Sequence, residues 1–100
     1  MIAKGCTCKN TFTIPFKKGD VGVIFITYQQ NGKIVFEKEI GDCEFSDGIV
    51  SVTLTQEDTL KLDDKSIVKM QVRVKLKNGT VTKSKIIETY TDQILKNEVI

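Results

Sequence analysis

The sequence has no histidine and no tryptophan, and it has a single proline. The absence of histidine removes the commonest general base of enzymes and the commonest neutral nitrogen ligand of protein-bound metals. The glycines form neither a G-x-G-x-x-G fingerprint nor a P-loop, and no serine or threonine stands in a recognisable nucleophile motif. We therefore expect no enzymatic activity, no catalytic residue and no cofactor.

Long hydrophobic runs are also missing. The longest, Val21–Ile26, is interrupted by Gly22 and falls far short of the ~20 apolar residues that cross a bilayer. The segment Met1–Cys6 lacks the apolar stretch of a signal peptide, so we expect no membrane association. A chain of 100 residues has no room for two independent cores, which predicts one domain over residues 1–100.

Charge of one sign is not in large excess, with 15 basic against 13 acidic residues and a net charge of +2. The densest basic stretch, Lys69–Lys85, alternates with apolar residues, as the solvated face of a strand does. Nucleic-acid binding needs a concentrated basic patch for phosphate contacts, and we expect no such partner. The acidic residues Asp58, Asp63 and Asp64 lack the D-x-[DN]-x-[DN]-G pattern of a calcium loop, so we expect them in solvated turns.

Cysteine is scarce, and Cys6, Cys8 and Cys43 are the only three. In a strand, Cys6 and Cys8 would point to the same face and could bind a metal together. A structural zinc site needs four ligands, however, and without histidine only carboxylates could complete it. We expect three reduced thiols and no metal site.

What the sequence does contain is a period-two alternation of apolar and polar residues, broken by turn signals, which is typical of antiparallel sheets. The alternating segments include Thr11–Phe16, Val23–Gln30, Lys33–Glu39, Ile49–Leu54, Val68–Lys77 and Thr80–Tyr90. Thr55 followed by Asp58 resembles a capping box and predicts one short helical turn near Thr55–Leu60. Pro15 cannot donate a ladder hydrogen bond, so the first strand should lie at a sheet edge. The predicted fold class is all-β, an immunoglobulin-like antiparallel β-sandwich of about seven strands.

The pair Asn31-Gly32 predicts a tight hairpin, because both residues tolerate the positive φ of a type I′ turn. A two-residue loop sets a register in which Tyr28 pairs with Val35 and Gln29 with Ile34. Both faces of the hairpin are then apolar. The first face carries Val23, Phe25, Thr27, Ile34 and Phe36, and the second carries Ile24, Ile26, Tyr28 and Val35. The outer face of a two-layer sandwich is normally polar, so one apolar face is left for contacts outside the core.

A second hairpin is predicted at Asn78-Gly79. Its register pairs Met70 with Ile87, but it also places Lys83 and Lys85 on the inner face. A β-bulge could shift the returning strand, or these lysines could lie at an edge and guard it against aggregation. The sequence leaves both explanations open.

The C-terminal tail, residues 92–100, contributes further apolar side chains. The tail could cover the second face of the hairpin within the same chain, or both could meet another protein, and we expect the second. The candidate interface residues are Ile24, Ile26, Tyr28, Val35, Ile94, Leu95, Val99 and Ile100. In such an assembly the tail could add a strand to the open sheet edge of a neighbour.

A set of segments carries a family resemblance. These segments are Phe16–Asp20, Val23–Gly32, Glu37-Lys38, Asp42-Cys43, Val52–Leu60, Val68–Val74 and Lys77–Gly79. They resemble small structural proteins of tailed phages of Firmicutes, over nearly the whole chain, and the most particular element is Leu54–Leu60. The beginning of the chain is also similar to the N-terminal β-sandwich of phage baseplate upper proteins, with its Gly-Asp turn, long strand and Asn-Gly turn.

The resemblance implies a non-enzymatic structural protein that assembles into the virion as a head, connector or baseplate subunit, in an adaptor or decoration role. The implied partners are other phage structural proteins and further copies of the chain, and the implied location is the virion, with the host cytoplasm during assembly. Two alternatives stay open. One is a carbohydrate- or host-surface-binding β-sandwich module, with Tyr28 and Tyr90 as its aromatic platforms, and the other is a phage-encoded intracellular regulator.

Overall fold

The computed structural model describes residues 1–100 and contains eight β-strands and one short α-helix. In chain order these are β1 (Cys8–Thr13), β2 (Val21–Gln30), β3 (Lys33–Glu39), β4 (Cys43–Ser46), β5 (Ile49–Leu54), α1 (Gln56–Leu60), β6 (Ile67–Leu76), β7 (Val81–Lys83) and β8 (Ile87–Tyr90). The strands form two antiparallel sheets, which confirms the predicted all-β sandwich, with eight strands in place of about seven.

A three-stranded sheet with the order β1–β5–β4 packs over a five-stranded sheet. The larger sheet has the order β3–β2–β6, and the far side of β6 pairs with β8 along its first half and with β7 along its second. In β6, the side chains of Val68, Met70, Val72 and Val74 are buried, and those between them point to the opposite face. The hydrophobic core therefore lies between the two sheets.

Strand β1 lies at a sheet edge, as predicted from Pro15, but it ends at Thr13. Beyond it, the N–H of Ile14 donates to the carbonyl of Gly48 at 2.9 Å, and the N–H of Gly48 donates to the carbonyl of Phe16 at 2.9 Å. Pro15 stands between these two hydrogen bonds and has no N–H of its own, so it interrupts neither.

The β2–β3 hairpin turns at Asn31 and Gly32. Their φ angles of 52° and 76° confirm the predicted turn. Next to the turn, Gln29 pairs with Ile34, as the two-residue loop predicts. The sequence therefore gives the first part of this register correctly.

A β-bulge at Val35 changes the rest of the register. Tyr28 pairs with Phe36 rather than with Val35, so the predicted pairings beyond this point are wrong by one residue. The aromatic rings explain the shift, because Phe36 stacks on Tyr28 with ring centroids 4.6 Å apart inside the sandwich. The pairs after the bulge are Tyr28–Phe36, Thr27–Glu37, Ile26–Lys38 and Phe25–Glu39.

The second hairpin has a three-residue loop, so the two-residue turn predicted at Asn78-Gly79 is wrong. Gly79 has a φ of 94° and donates its N–H to the carbonyl of Leu76 at 2.9 Å, while Leu76 donates to Thr80 at 2.8 Å. This geometry is a type I turn followed by a left-handed glycine. The longer loop moves β7 by one residue relative to the predicted register.

The shift in β7 explains where the side chain of Lys83 points. Lys83 pairs with Arg73, and both side chains point away from the core. An extra residue between β7 and β8 then restores the predicted pairing of Met70 with Ile87. A register shift therefore moves Lys83 off the inner face, as in the first explanation, and β7 is also an edge strand, as in the second.

The predicted capping box at the start of α1 is confirmed. Thr55 Oγ1 accepts the N–H of Asp58 at 3.1 Å, and Asp58 Oδ2 accepts the N–H of Thr55 at 2.9 Å. The same Oδ2 lies 2.8 Å from the Nζ of Lys38, which reaches across from β3. Burial alone would raise the pKa of Asp58, but the hydrogen bonds from Lys38 and Thr55 outweigh it and hold this pKa below its usual value.

Candidate interaction surface

Three of the predicted interface residues, Ile24, Ile26 and Tyr28, are fully buried, with 0% of each residue exposed. They lie on the inner face of β2, within the core between the sheets. Asn10 Nδ2 donates to the hydroxyl of Tyr28 at 2.7 Å, and burial raises the pKa of Tyr28 to about 12. Their assignment to an interface is wrong, because the rest of the same chain already covers them.

Val35, the fourth predicted residue of the hairpin, occupies the bulge in β3. Its side chain is half-buried and packs against the core. Val35 therefore packs with the buried residues of β2, and its assignment to an interface is wrong for the same reason.

The four tail residues lie elsewhere, near α1 and the N-terminal segment. Ile94 is half-buried, and a methyl group at Gly5 would collide with its Cδ1. Ile100 donates its N–H to Gln56 Oε1 at 2.9 Å and accepts from Gln56 Nε2 at 3.2 Å. The tail therefore attaches to its own domain beside α1.

Between these two attachments the tail exposes apolar side chains. Leu95 is 96% exposed, Val99 is 45% exposed and Ile100 is 102% exposed. A role of these residues in contacts with other molecules remains a prediction.

Most exposed apolar side chains of the larger sheet lie on the side that faces away from the three-stranded sheet, which we call the outer face. Ile87 is an exception, since it is 41% exposed and pairs with the buried Met70. The hairpin contributes Phe25, 36% exposed, and Ile34, 60% exposed. The remaining strands and the β7–β8 connection contribute Ile67, Val81, Ile86 and Tyr90. The hairpin is apolar on both sides, as its sequence indicates. The exposed side is the one with Phe25 and Ile34, whereas the side predicted to be an interface, with Ile24, Ile26 and Tyr28, is buried.

The pairing of β2 with β6 determines which side of the hairpin is exposed. Phe25 pairs with Arg73, and Thr27 pairs with Gln71. These residues of β2 therefore lie on the same face of the sheet as the polar residues of β6. The alternation of β6 is clear in the sequence, but the pairing of these two non-consecutive strands is not. The sequence did not predict that Phe25 and Ile34 are exposed, because it does not show which strand pairs with β2 and thereby fixes the orientation of the hairpin.

The outer face contains two shallow depressions. One, with a volume of about 110 Å³, lies between Val23, Phe25 and Val81 and is bordered by Arg73 and Lys75. The other, of about 330 Å³, runs along the middle of the face and includes Thr27, Gln29, Ile34, Glu37, Gln71 and Ile86. The smaller depression is mainly apolar with a charged border, which is typical of protein–protein contact surfaces, whereas the larger one is lined mostly by polar residues.

Charge is distributed unevenly across the outer face. Glu37 and Glu39 lie on the β3 side, whereas Arg73, Lys75 and Lys83 lie on the β6–β7 side. None of the four ion pairs in the chain joins residues of this face. The charged groups at its two sides therefore have no ionic partner within the chain.

The thiols remain free, with Cys6 exposed and Cys8 and Cys43 half-buried. Burial raises the pKa of Cys8 and of Cys43, which favours the unreactive thiol form at neutral pH. The structure brings together no group of three or more cysteine or carboxylate side chains in which a metal ion could be held.

Of the two tyrosines considered as platforms for a carbohydrate, only Tyr90 is exposed. It pairs with Ile67 at the end of the outer face, so any aromatic platform would rest on a single ring. No helix in the structure has both the length and the apolar character needed to span a membrane. No known protein family, curated protein or solved structure matches the chain.

Proposed function

We propose that the chain is a non-enzymatic structural subunit of a tailed-phage particle, which contacts its neighbours through the outer face of the five-stranded sheet. The observation that carries the proposal is the set of exposed apolar side chains on that face, including Phe25, Ile34 and Val81. Apolar patches of this kind usually mark sites of association. The resemblance of segments such as Val52–Leu60 to small phage structural proteins supports the same function.

The architecture suits an adaptor or decoration subunit in the head, connector or baseplate. The two strands at the centre of the face, β2 and β6, are fixed from behind by fully buried residues such as Ile24, Ile26 and Val72. A surface held by its own core does not need to fold on binding, so little conformational entropy is lost on assembly. The partners are other phage structural proteins and further copies of the chain, in the virion and, during assembly, in the host cytoplasm.

The exposed part of the tail provides a second contact in this proposal. Ile100 lies beside α1, where it contacts Gln56, and the exposed residues Leu95, Val99 and Ile100 line neither depression of the outer face. A subunit with two separate apolar contacts can join two different neighbours, as repeated components of a particle must.

The most direct test is a quantitative mass-spectrometric inventory of purified particles of the phage that encodes the chain. We expect the chain at a fixed stoichiometry to the other virion proteins. The variant Phe25→Lys should be depleted from particles, because it replaces an apolar ring of the outer face with a positive charge directly beside Arg73. Ile49→Lys is the matched control, since Ile49 is 46% exposed on the other sheet, and it should be incorporated normally.

Thermal unfolding of both variants controls for damage to the fold, and both should keep the far-ultraviolet signal of a β-protein. A chain that is abundant in infected cells and absent from particles would contradict the proposal and favour an intracellular regulator. Equal incorporation of the two variants would contradict the role of the outer face.

A further inference from the structure

One row of side chains crosses the whole outer face. It consists of Glu39 on β3, Phe25 on β2, Arg73 on β6 and Lys83 on β7, which pair in this order. Neighbouring strands lie ~4.8 Å apart, so Glu39 and Lys83 are separated by about 14 Å within one chain. The acidic and basic ends of the row therefore cannot neutralise each other inside the molecule.

We propose that the outer face packs against the outer face of a second copy, about a twofold axis that runs parallel to the strands between β2 and β6. This inference rests on the proposed function, because it uses the same face for association, and it identifies the partner as a second copy of the chain. The axis exchanges β3 with β7 and β2 with β6 across the interface. Glu39 of each copy then faces Lys83 of the other, and Phe25 faces Arg73, which is a cation–π pair.

Charge selects this axis over the alternative. A twofold axis perpendicular to the strands would place Glu39 over Glu39 and Lys83 over Lys83, and like charges across an interface are strongly unfavourable. With the axis along the strands, the strands of the two copies run nearly in line, as they do when two sheets pack face to face. An isologous contact of this kind closes on itself as a dimer.

The size of the face is suitable for a dimer. Strands β2 and β6 are ten residues long. Strand β3 has seven residues, and β7 and β8 have three and four. At ~3.3 Å per residue and ~4.8 Å between strands, the face covers on the order of 500 Å² in projection. Stable interfaces bury about 800 Å² of accessible surface on each partner, which a side-chain-covered face of this size can supply. Phe25 and Arg73 lie on its two central strands and Glu39 and Lys83 on its outer strands, and aromatic residues and arginine are enriched in such interfaces.

Nucleic acid fits the same face less well. Glu37, Glu39 and Glu88 share it with the basic residues, and each would repel a phosphate backbone. An unrelated acidic protein would contact Lys83 but would make no favourable contact with Glu39. The roles of these two residues therefore separate a second copy from other occupants.

The test is a charge-reversal cycle on the full chain, read by light scattering after size exclusion from about 10 μM to about 1 mM. The wild type should have twice the monomer mass at high concentration. Glu39→Lys and Lys83→Glu should each weaken dimerisation about tenfold, because each turns two symmetry-related attractions into repulsions. The double variant carrying both changes should return to within about threefold of the wild type, since the pairs are restored with reversed sign.

A mixture of the two single variants makes the test sharper. Glu39→Lys presents two positive ends and Lys83→Glu two negative ends, so the two variants should form a heterodimer more readily than either forms a homodimer. Lys9→Glu, on the outer face of the three-stranded sheet, is the matched control and should dimerise like the wild type.

A wild type that stays monomeric throughout would overturn the twofold pairing, and so would single variants that dimerise normally or a double variant that is not rescued. If Lys83→Glu loses binding to an acidic protein or a nucleic acid while Glu39→Lys retains it, the occupant of the face is not a second copy, and the pairing is overturned as well. A monomer that is nevertheless a stoichiometric particle component refutes only the pairing. A dimer that is absent from particles refutes only the proposed function.

Discussion

Asp58 connects the helix to the larger sheet through a single carboxylate. Its Oδ2 accepts the N–H of Thr55 in the capping box and also lies 2.8 Å from the Nζ of Lys38. Lys38 reaches this position because the bulge at Val35 turns it to the inner side, where it pairs with Ile26. Without the bulge, Glu37 would stand there, and two acidic groups would face each other.

The variant Asp58→Asn should lower the free energy of unfolding by about 2 kcal/mol at neutral pH, because the amide oxygen of asparagine still accepts the N–H of Thr55 but leaves the mostly buried ammonium of Lys38 unpaired. Urea unfolding measures the change. Glu57→Gln, an exposed change in the same helical turn, is the control and should change stability by less than about 0.5 kcal/mol. An Asp58→Asn protein as stable as this control would contradict the role of the ion pair.

The same pair makes stability depend on acid pH. Because the folded-state pKa of Asp58 lies below the unfolded value of ~3.9, its contribution is complete above that pH. The contribution is lost as the pH falls through the folded-state pKa. The stability difference between the wild type and Asp58→Asn should therefore shrink below about pH 4, and a difference that stays constant down to strongly acidic pH would contradict it.

At the scale of elements, the sequence predicts the strands and the places of the turns, because alternation and turn residues are local properties, but it gives the wrong loop length at Asn78-Gly79. The capping box at Thr55 and the turn at Asn31-Gly32 depend only on neighbouring residues, and both are confirmed. The bulge at Val35 could not be predicted in this way, because it depends on Phe36 stacking on Tyr28 within the folded sandwich. The exposed face of the hairpin likewise depends on the pairing of β2 with β6, which are far apart in the sequence.

The tail is an element whose contribution to stability can be separated from its exposed surface. Removal of residues 95–100 should change the free energy of unfolding by less than about 1 kcal/mol, because it removes only exposed side chains and the hydrogen bonds to Gln56. Removal of residues 93–100 should cost about 2 kcal/mol, since it also takes away Ile94 from its contact beside Gly5.

Urea unfolding of the two truncated chains provides the comparison. If the shorter truncation already abolishes folding, the exposed residues Leu95 and Ile100 contribute to the core of the domain, and their assignment to contacts in the particle is wrong. If it folds normally, it is the appropriate variant with which to measure the contribution of the tail to incorporation.

At the scale of the whole molecule, one sheet has a shielded inner face and an apolar outer face with acidic and basic sides. The inner face is completed by the three-stranded sheet of the same chain, while Phe25, Ile34 and Val81 on the outer face meet solvent. The proposed association depends on these exposed apolar residues of the outer face.

Hydroxyl-radical footprinting of the monomeric and assembled chain tests most directly whether the outer face is the contact surface. Side-chain oxidation of Phe25, Ile34 and Val81 should fall several-fold on assembly, while that of Ile49 on the other sheet should stay constant. Unchanged oxidation of the outer-face residues together with new protection of Ile49 would show that the chain associates through its other side, and would contradict the central claim.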